Sequence, residues 1–250
     1  MLYDDEFYAS QSGGSLRSAK AVVPYVVSLL APKSVVDVGC GVGTWLSVFR
    51  EQGVERVLGV DGDYVKADSL LIPADRFLPR DLSRSIGVGE RFDLATSLEV
   101  AEHLPPDSGP HFVDELVKLA DAVLFSAAIP EQGGVNHTNE RWQSYWRELF
   151  AERGFLPVDC IRPQFWTDPR VMAFYSQNIL LYVKKEVLDQ RPDLKALADG
   201  AAIIPFDVVH PEQYRAGLAN QRAVDSGLRT MLSRLPKAAV KTARRYLVRQ

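Results

Sequence analysis

The sequence predicts a doubly wound α/β fold: a mostly parallel sheet of about seven strands with helices on both faces, then a helical C-terminal extension. Three observations predict it. Apolar, β-branched runs of strand length alternate with amphipathic stretches of helix length up to Lys184, the pattern of consecutive β-α-β units. One such run, VVDV, empties into Gly39, Gly41 and Gly43, and a helical stretch follows at once. The length of 250 residues, with 46% hydrophobic and 24% charged residues, suits one large α/β domain or a domain with an appendage.

In chain order, residues 15–31 read as a helix, with Ser15 as N-cap and Pro24 as a kink. Residues 34–38 read as a short buried strand, 43–52 as a helix, 56–60 as a second strand and 76–80 as a third. Residues 91–97 are expected to form a fourth strand, 109–120 a helix, 121–128 a fifth strand and 138–153 an aromatic-rich helix. Two closing strands are expected at 155–161 and 177–184. The composition shifts near Lys184, after which helices without strands are expected. This divides the chain into residues 1–33 (an N-terminal helix and lid), 34–184 (the α/β domain) and 185–250 (a helical extension with a basic amphipathic tail).

Composition excludes a disordered chain, a collagen-like fibre and a disulfide scaffold. Two cysteines, Cys40 and Cys160, cannot staple a chain of this size, so a reducing, cytoplasmic compartment is expected. Asp4, Asp5 and Glu6 stand where a signal peptide needs basic and then apolar residues. The net charge of −3 hides an asymmetry. Residues 222–250 hold eight basic residues and one acid, Asp225, a net of +7 that leaves −10 on the rest. An acidic body argues against nucleic acid as a partner. The tail admits two readings: a basic amphipathic helix on the anionic inner face of a membrane, or a solvated helix packed on the acidic body.

The glycine-rich segment is the strongest local signal. Glycines after a strand let the backbone approach a ligand closely, and the helix behind them offers free N–H groups and a favourable dipole end. Asp61 follows one strand later, where a carboxylate can accept both hydroxyls of a ribose. A dinucleotide fingerprint is absent, because Thr44 stands where a last Gly or Ala belongs. The pattern Asp37-x-Gly39-x-Gly41-x-Gly43 instead resembles motif I of the class I S-adenosylmethionine (SAM)-dependent methyltransferases. That resemblance implies SAM as cofactor, a Rossmann-like sheet ordered 3-2-1-4-5-7-6, Asp81 accepting from the adenine amino group and Leu82 offering a backbone N–H. Cys40 reads as a packing residue rather than a nucleophile.

A second cluster follows the fourth strand in SLEVAEHLPP. Glu99, Glu102 and His103 are spaced i, i+3, i+4, so one helical turn puts them on one face. His137 lies in a glycine-rich loop after the fifth strand. In the methyltransferase strand order these two loops are neighbours beside the SAM methyl group, with Glu99 also lining the cofactor pocket. Two carboxylates and two imidazoles suit Mg²⁺ or Mn²⁺. The E-x-x-E-H turn is similar to the metal site of the small-RNA 3′-terminal 2′-O-methyltransferases and also occurs in the ubiquinone-pathway O-methyltransferases. The RNA enzymes carry His-x-x-His in the later loop, however, and this chain has only His137. The alternative is a metal-free site in which Glu102 and His103 cap a helix and His137 is a general base or a structural loop residue.

Gly13-Gly14-Ser15-Leu16-Arg17 reads as a lid over SAM or as an ordinary capped turn. Trp166 and Tyr175 are candidates for substrate contact, whereas His111 and His210 read as surface or packing residues. Taken together, GSLRSA, VVDVGCGVGTWL, VLGVDGDYV, SLEVAEHLP and LFSAAIPEQGG resemble bacterial methyltransferases found among surface-polysaccharide and glycan assembly genes. The expected function is O-methylation of a sugar hydroxyl. The rivals are an O-methyltransferase of a small aromatic or quinone-type acceptor, and a non-catalytic SAM-fold scaffold docking through its tail.

Overall fold

The computed structural model describes residues 5–201 and 205–233. A seven-stranded sheet carries the architecture: β1 (Ser34–Val38), β2 (Arg56–Asp61), β3 (Phe77–Pro79), β4 (Leu94–Leu98), β5 (Ala122–Ser126), β6 (Phe155–Val158) and β7 (Leu180–Lys184). Its order is β3-β2-β1-β4-β5-β7-β6. The β1–β2, β1–β4, β2–β3 and β4–β5 ladders are parallel. β7 runs antiparallel to both its neighbours, β5 and β6. The expected order therefore holds, and the carboxyl ends of β1, β2, β4 and β5 share one edge of the sheet.

The strands sort their side chains by parity, as a pleated strand must. Val35, Leu94, Leu124, Leu181 and Val183 face one core layer, which α1 (Asp5–Leu30) and α2 (Thr44–Glu51) cover with Val22, Val26, Leu46 and Phe49. Val36, Ala95, Val123, Phe125 and Tyr182 face the other, closed by Phe112 and Leu116 of α3 (Gly109–Leu119) and Trp146 and Phe150 of α4 (Gln143–Ala151). β1, β4 and β5 are buried along their whole length. That is why they read as continuous apolar runs.

Four elements differ from the sequence expectation. α1 starts at Asp5, so Ser15 lies inside it rather than capping it. α4 starts at Gln143 rather than 138, because the residues before it dock on the loop after β4. Its first turn is capped from far away, with Ser144 N–H and Oγ both donating to Asp207 at 2.7 Å. Residue 161 and residues 177–178, expected to lie in the two closing strands, belong instead to two short helices, α5 (Ile161–Phe165) and α6 (Ala173–Asn178).

After β7 come α7 (Lys185–Leu188), α8 (Pro192–Ala201) and α9 (Pro211–Ser233). Among the described residues, those up to His210 form one compact unit and those from Pro211 on a second. Side chains along α9 as far as Ala223 are mostly exposed. The basic tail from residue 234 on lies outside the described residues. No described helix is long and apolar enough to cross a membrane.

Candidate active site

The glycine turn sits where β1 ends. Gly39 and Cys40 both donate to Val60 O of β2, at 2.7 and 3.2 Å, so the turn leans on the neighbouring strand. Gly39 has φ +83°, and a Cβ there would stand 2.3 Å from Val100 Cγ2. Gly41, at φ +54°, would direct a Cβ into open space, with nothing within 4 Å. The turn is thus tight on its inner side and vacant on its outer side, the shape of a ligand cradle. Gly43 immediately precedes α2. Cys40 fills the space left by Gly59, whose added Cβ would lie 2.7 Å from the sulfur. Burial, then the nearby Asp37 and Asp61 carboxylates, push its thiol well above the ordinary range, as befits a packing residue.

The three acids expected at the nucleotide site are in different states. Asp61, the last residue of β2, is buried. Its Oδ2 accepts from Gly41 N–H at 2.7 Å, and Oδ1 from Gly62 N–H at 2.6 Å and from the Tyr64 hydroxyl. Asp37, inside β1, accepts from Thr96 Oγ1 at 2.6 Å. Burial raises its carboxyl to about 7, against the lowering effect of the Thr96 hydrogen bond, with the Asp61 charge adding to the rise. Asp81 is exposed beyond β3. It accepts from Ser83 N–H and Oγ at 3.0 and 2.6 Å, which together with Arg84 hold its carboxyl below the usual range. Leu82, partly buried, packs on the second core layer.

The second cluster forms at the carboxyl ends of β4 and β5. Glu99 follows β4 in the left-handed region, φ +56°. Its N–H reaches Ser126 O of β5 at 3.0 Å. The turn behind it, residues 101–103, is a 3₁₀ turn, so there is no continuous α-helical face to carry 99, 102 and 103 together. Glu99 is bonded instead to Gln132 Nε2 at 2.8 Å and Asn178 Nδ2 at 3.1 Å. Burial raises its carboxyl to about 7, opposed by those amides. Glu102, His103 and His137 do come together, with their ligand atoms within 4.8 Å of one another. The two imidazoles meet edge to face at 4.8 Å between centroids. The loop carrying His137 is docked by Thr138 and Asn139 N–H on Glu102 O, at 2.8 and 3.0 Å, and by Asn139 Nδ2 on Ala101 O.

Glu102 is completely buried, and neither of its carboxylate oxygens has a hydrogen-bond partner. Burial, then the Glu99 charge, drives its pKa well above the carboxylate range. Burial, then His137, lowers that of His103. Nδ1 of His137 lies 2.9 Å from Glu140 Oε1.

A methyltransferase-domain family model matches residues 16–152, more than half of the chain. The chain belongs to this family. It is a SAM-dependent methyltransferase, and its sheet order is that of the fold. No curated protein gives a significant match. Among solved structures, the methyltransferase is similar to magnesium protoporphyrin IX methyltransferase from Synechocystis PCC 6803 with bound SAM (TM-score 0.50, 22% identity, 68% of this chain and 80% of that one). It is also similar to DesVI of Streptomyces venezuelae (0.53, 14%, 72% and 96%). A third likeness is to an O-methyltransferase family protein from Burkholderia thailandensis (0.52, 12%, 73% and 60%).

In the methyltransferase, the Gly13–Arg17 segment is part of α1 and touches the site side of the sheet. Trp45 Nε1 donates to Ser15 Oγ at 3.1 Å, and Ser15 Oγ lies 3.4 Å from Tyr175 OH. Met172 Sδ occupies the place a Cβ on Gly14 would take. Tyr175 is buried edge-on against Trp45, whereas Trp166 packs on His210, whose Nε2 lies 2.8 Å from Trp166 O. His111 is exposed on α3. Sequence reasoning missed Gln132, Asn178 and Glu140. The available signals were the polar SQN triplet directly before an apolar strand and the His-x-x-Glu spacing of residues 137–140.

Proposed function

We propose that this methyltransferase transfers the SAM methyl group to an oxygen, with a sugar hydroxyl as acceptor. The observation that carries the oxygen chemistry is Glu102. A buried carboxyl with two bare oxygens is costly unless something complements it. Beside it stand two imidazoles, at the sheet edge that also bears the glycine turn. That donor set fits a divalent ion of the Mg²⁺ or Mn²⁺ type. Glu102, His103 and His137 would hold it, while Glu99 stays with its amides. Such an ion, when bound, lowers the pKa of a coordinated hydroxyl.

The chain's own residues do the rest. Asp61 and the Gly41 cradle place the nucleoside. Glu99, clamped by two amides, faces the same edge as a fixed acid. Where no ion is bound, His137 would receive the hydroxyl proton as the acceptor oxygen aligns with the methyl group; where one is, the His137 lone pair is spent on the ion, and the proton of the acidified hydroxyl leaves to solvent. The sugar assignment is supported by the resemblance of the quoted segments to enzymes of glycan assembly gene clusters; an acceptor screen that returned only phenolic substrates would replace it.

The oxygen-activation proposal is tested by chelation and substitution together. With a metal, EDTA stops turnover, Mg²⁺ or Mn²⁺ restores it, and Glu102→Gln is severely impaired. If His137 serves alone as the base, EDTA has no effect and His137→Ala loses about 10²–10⁴ in rate. Full activity of chelated enzyme ends the metal version, and full activity of His137→Ala ends both.

A further inference from the structure

The loop between β5 and α4 is organised around one carboxylate that lies outside the Glu102–His103–His137 group. Glu140 Oε1 accepts from Gly133 N–H at 3.0 Å, and its Oε2 accepts from Glu131 N–H at 2.8 Å. The same Oε1 lies 2.9 Å from Nδ1 of His137. Both side chains are largely withdrawn from water, at 12% exposed for His137 and 19% for Glu140. Glu131, Gly133 and Asn136 all have left-handed backbone, with φ of 68°, 74° and 60°. The loop is therefore coiled so that its N–H groups converge on this carboxylate. The room for the His137 ring comes from Gly134, where a Cβ would sit 2.2 Å from Nε2.

We infer that Glu140 is a positioning residue that fixes the His137 imidazole as its Nδ1–H tautomer and so leaves the Nε2 lone pair free for the reaction. A carboxylate already receiving two backbone N–H groups has only lone pairs to offer the ring. The hydrogen bond therefore requires the ring proton on Nδ1. Nε2 then has an unshared pair at the one ring position that Glu140 does not occupy. A His that acts as base or ligand is commonly oriented in this way through its other nitrogen. The inference rests on the reading of His137 as a functional residue, and it holds whether Nε2 takes a proton or a metal ion.

The test is the tautomer itself, read on full-length protein by long-range ¹H–¹⁵N spectra of labelled histidines at alkaline pH. His137→Gln identifies its signal among the four histidines. The expected result is an Nδ1–H ring in the unsubstituted protein. Glu140→Gln should shift His137 toward the Nε2–H form and lower kcat about 10–100-fold, with SAM affinity unchanged. An Nε2–H ring in the unsubstituted protein overturns the inference, and so does unaltered kcat in Glu140→Gln. If His137→Ala is fully active, the reading of His137 itself fails. If His137→Ala is inactive while Glu140→Gln is fully active, only the role of Glu140 fails. Should Glu140→Gln not fold, the tautomer of the unsubstituted protein still decides.

Discussion

Asp37 is a carboxyl group with almost no water around it, 3% exposed, held by one hydroxyl from Thr96. Burial raises it to about 7, so without a cation nearby it is largely protonated below neutrality. SAM brings a sulfonium and an ammonium, and a positive ligand favours the ionised acid. Binding then expels a proton, and affinity must fall as pH drops below about 7, approaching tenfold per pH unit for one proton. Calorimetry between pH 5.5 and 8 should show this slope, and Asp37→Asn should flatten it; an unchanged slope in Asp37→Asn would assign the proton elsewhere. Sequence reading singled out Asp37, Asp61, Glu102, His103 and His137 because acids, imidazoles and glycines around strand ends are rare and conspicuous. It missed Glu140, Gln132 and Asn178, since an exposed-looking Glu or an amide shows its purpose only once a distant partner is placed. It also grouped Glu99 with its neighbours by helical spacing, which a left-handed residue before a 3₁₀ turn does not obey.

At the scale of the element, the β1–turn–α2 unit separates packing from binding within five residues. Gly39→Ala combines an unfavourable φ with a collision against Val100, so it should cost roughly 2–4 kcal/mol of stability. Gly41→Ala meets no neighbour and should cost about 1 kcal/mol through its backbone alone. It would intrude on the cradle, however, and weaken SAM binding at least tenfold. Thermal denaturation and calorimetry on the two variants should separate these effects; a destabilised Gly41→Ala with normal SAM affinity would contradict the assignment of its outer face. Elements of this kind were legible because β1, β2, β4 and β5 carry dense β-branched or apolar runs between clear turn signals. α5 and α6 were not, because their helices are too short to show a period. The start of α4 was misplaced because Thr138 and Asn139 spend their N–H groups on Glu102 O instead of on a helix.

At the scale of the molecule, the sheet, both core layers and every candidate site residue lie within residues 1–210. Protein ending at Tyr214 should therefore bind SAM as tightly as the full chain. We propose that the basic segment 222–250 seats on anionic lipid. Full-length protein should then co-sediment with phosphatidylserine vesicles, less so at high salt, while the truncated form should remain in the supernatant. Equal sedimentation of the two would leave the tail without a membrane role.

The position of β7 has a consequence for how this chain comes off the ribosome. Among the described residues it is the last strand made, yet it lies between β5 and β6. Until Lys184 has emerged, β5 presents an unpaired edge and β6 has no strand to join. Long-range pairing of this kind is slow and leaves a sticky nascent intermediate. A fragment stopping before Leu180 should be claimed by chaperones or lost to aggregation, and a break meant to yield two reassembling halves belongs after β7 rather than in the loop between β5 and β6.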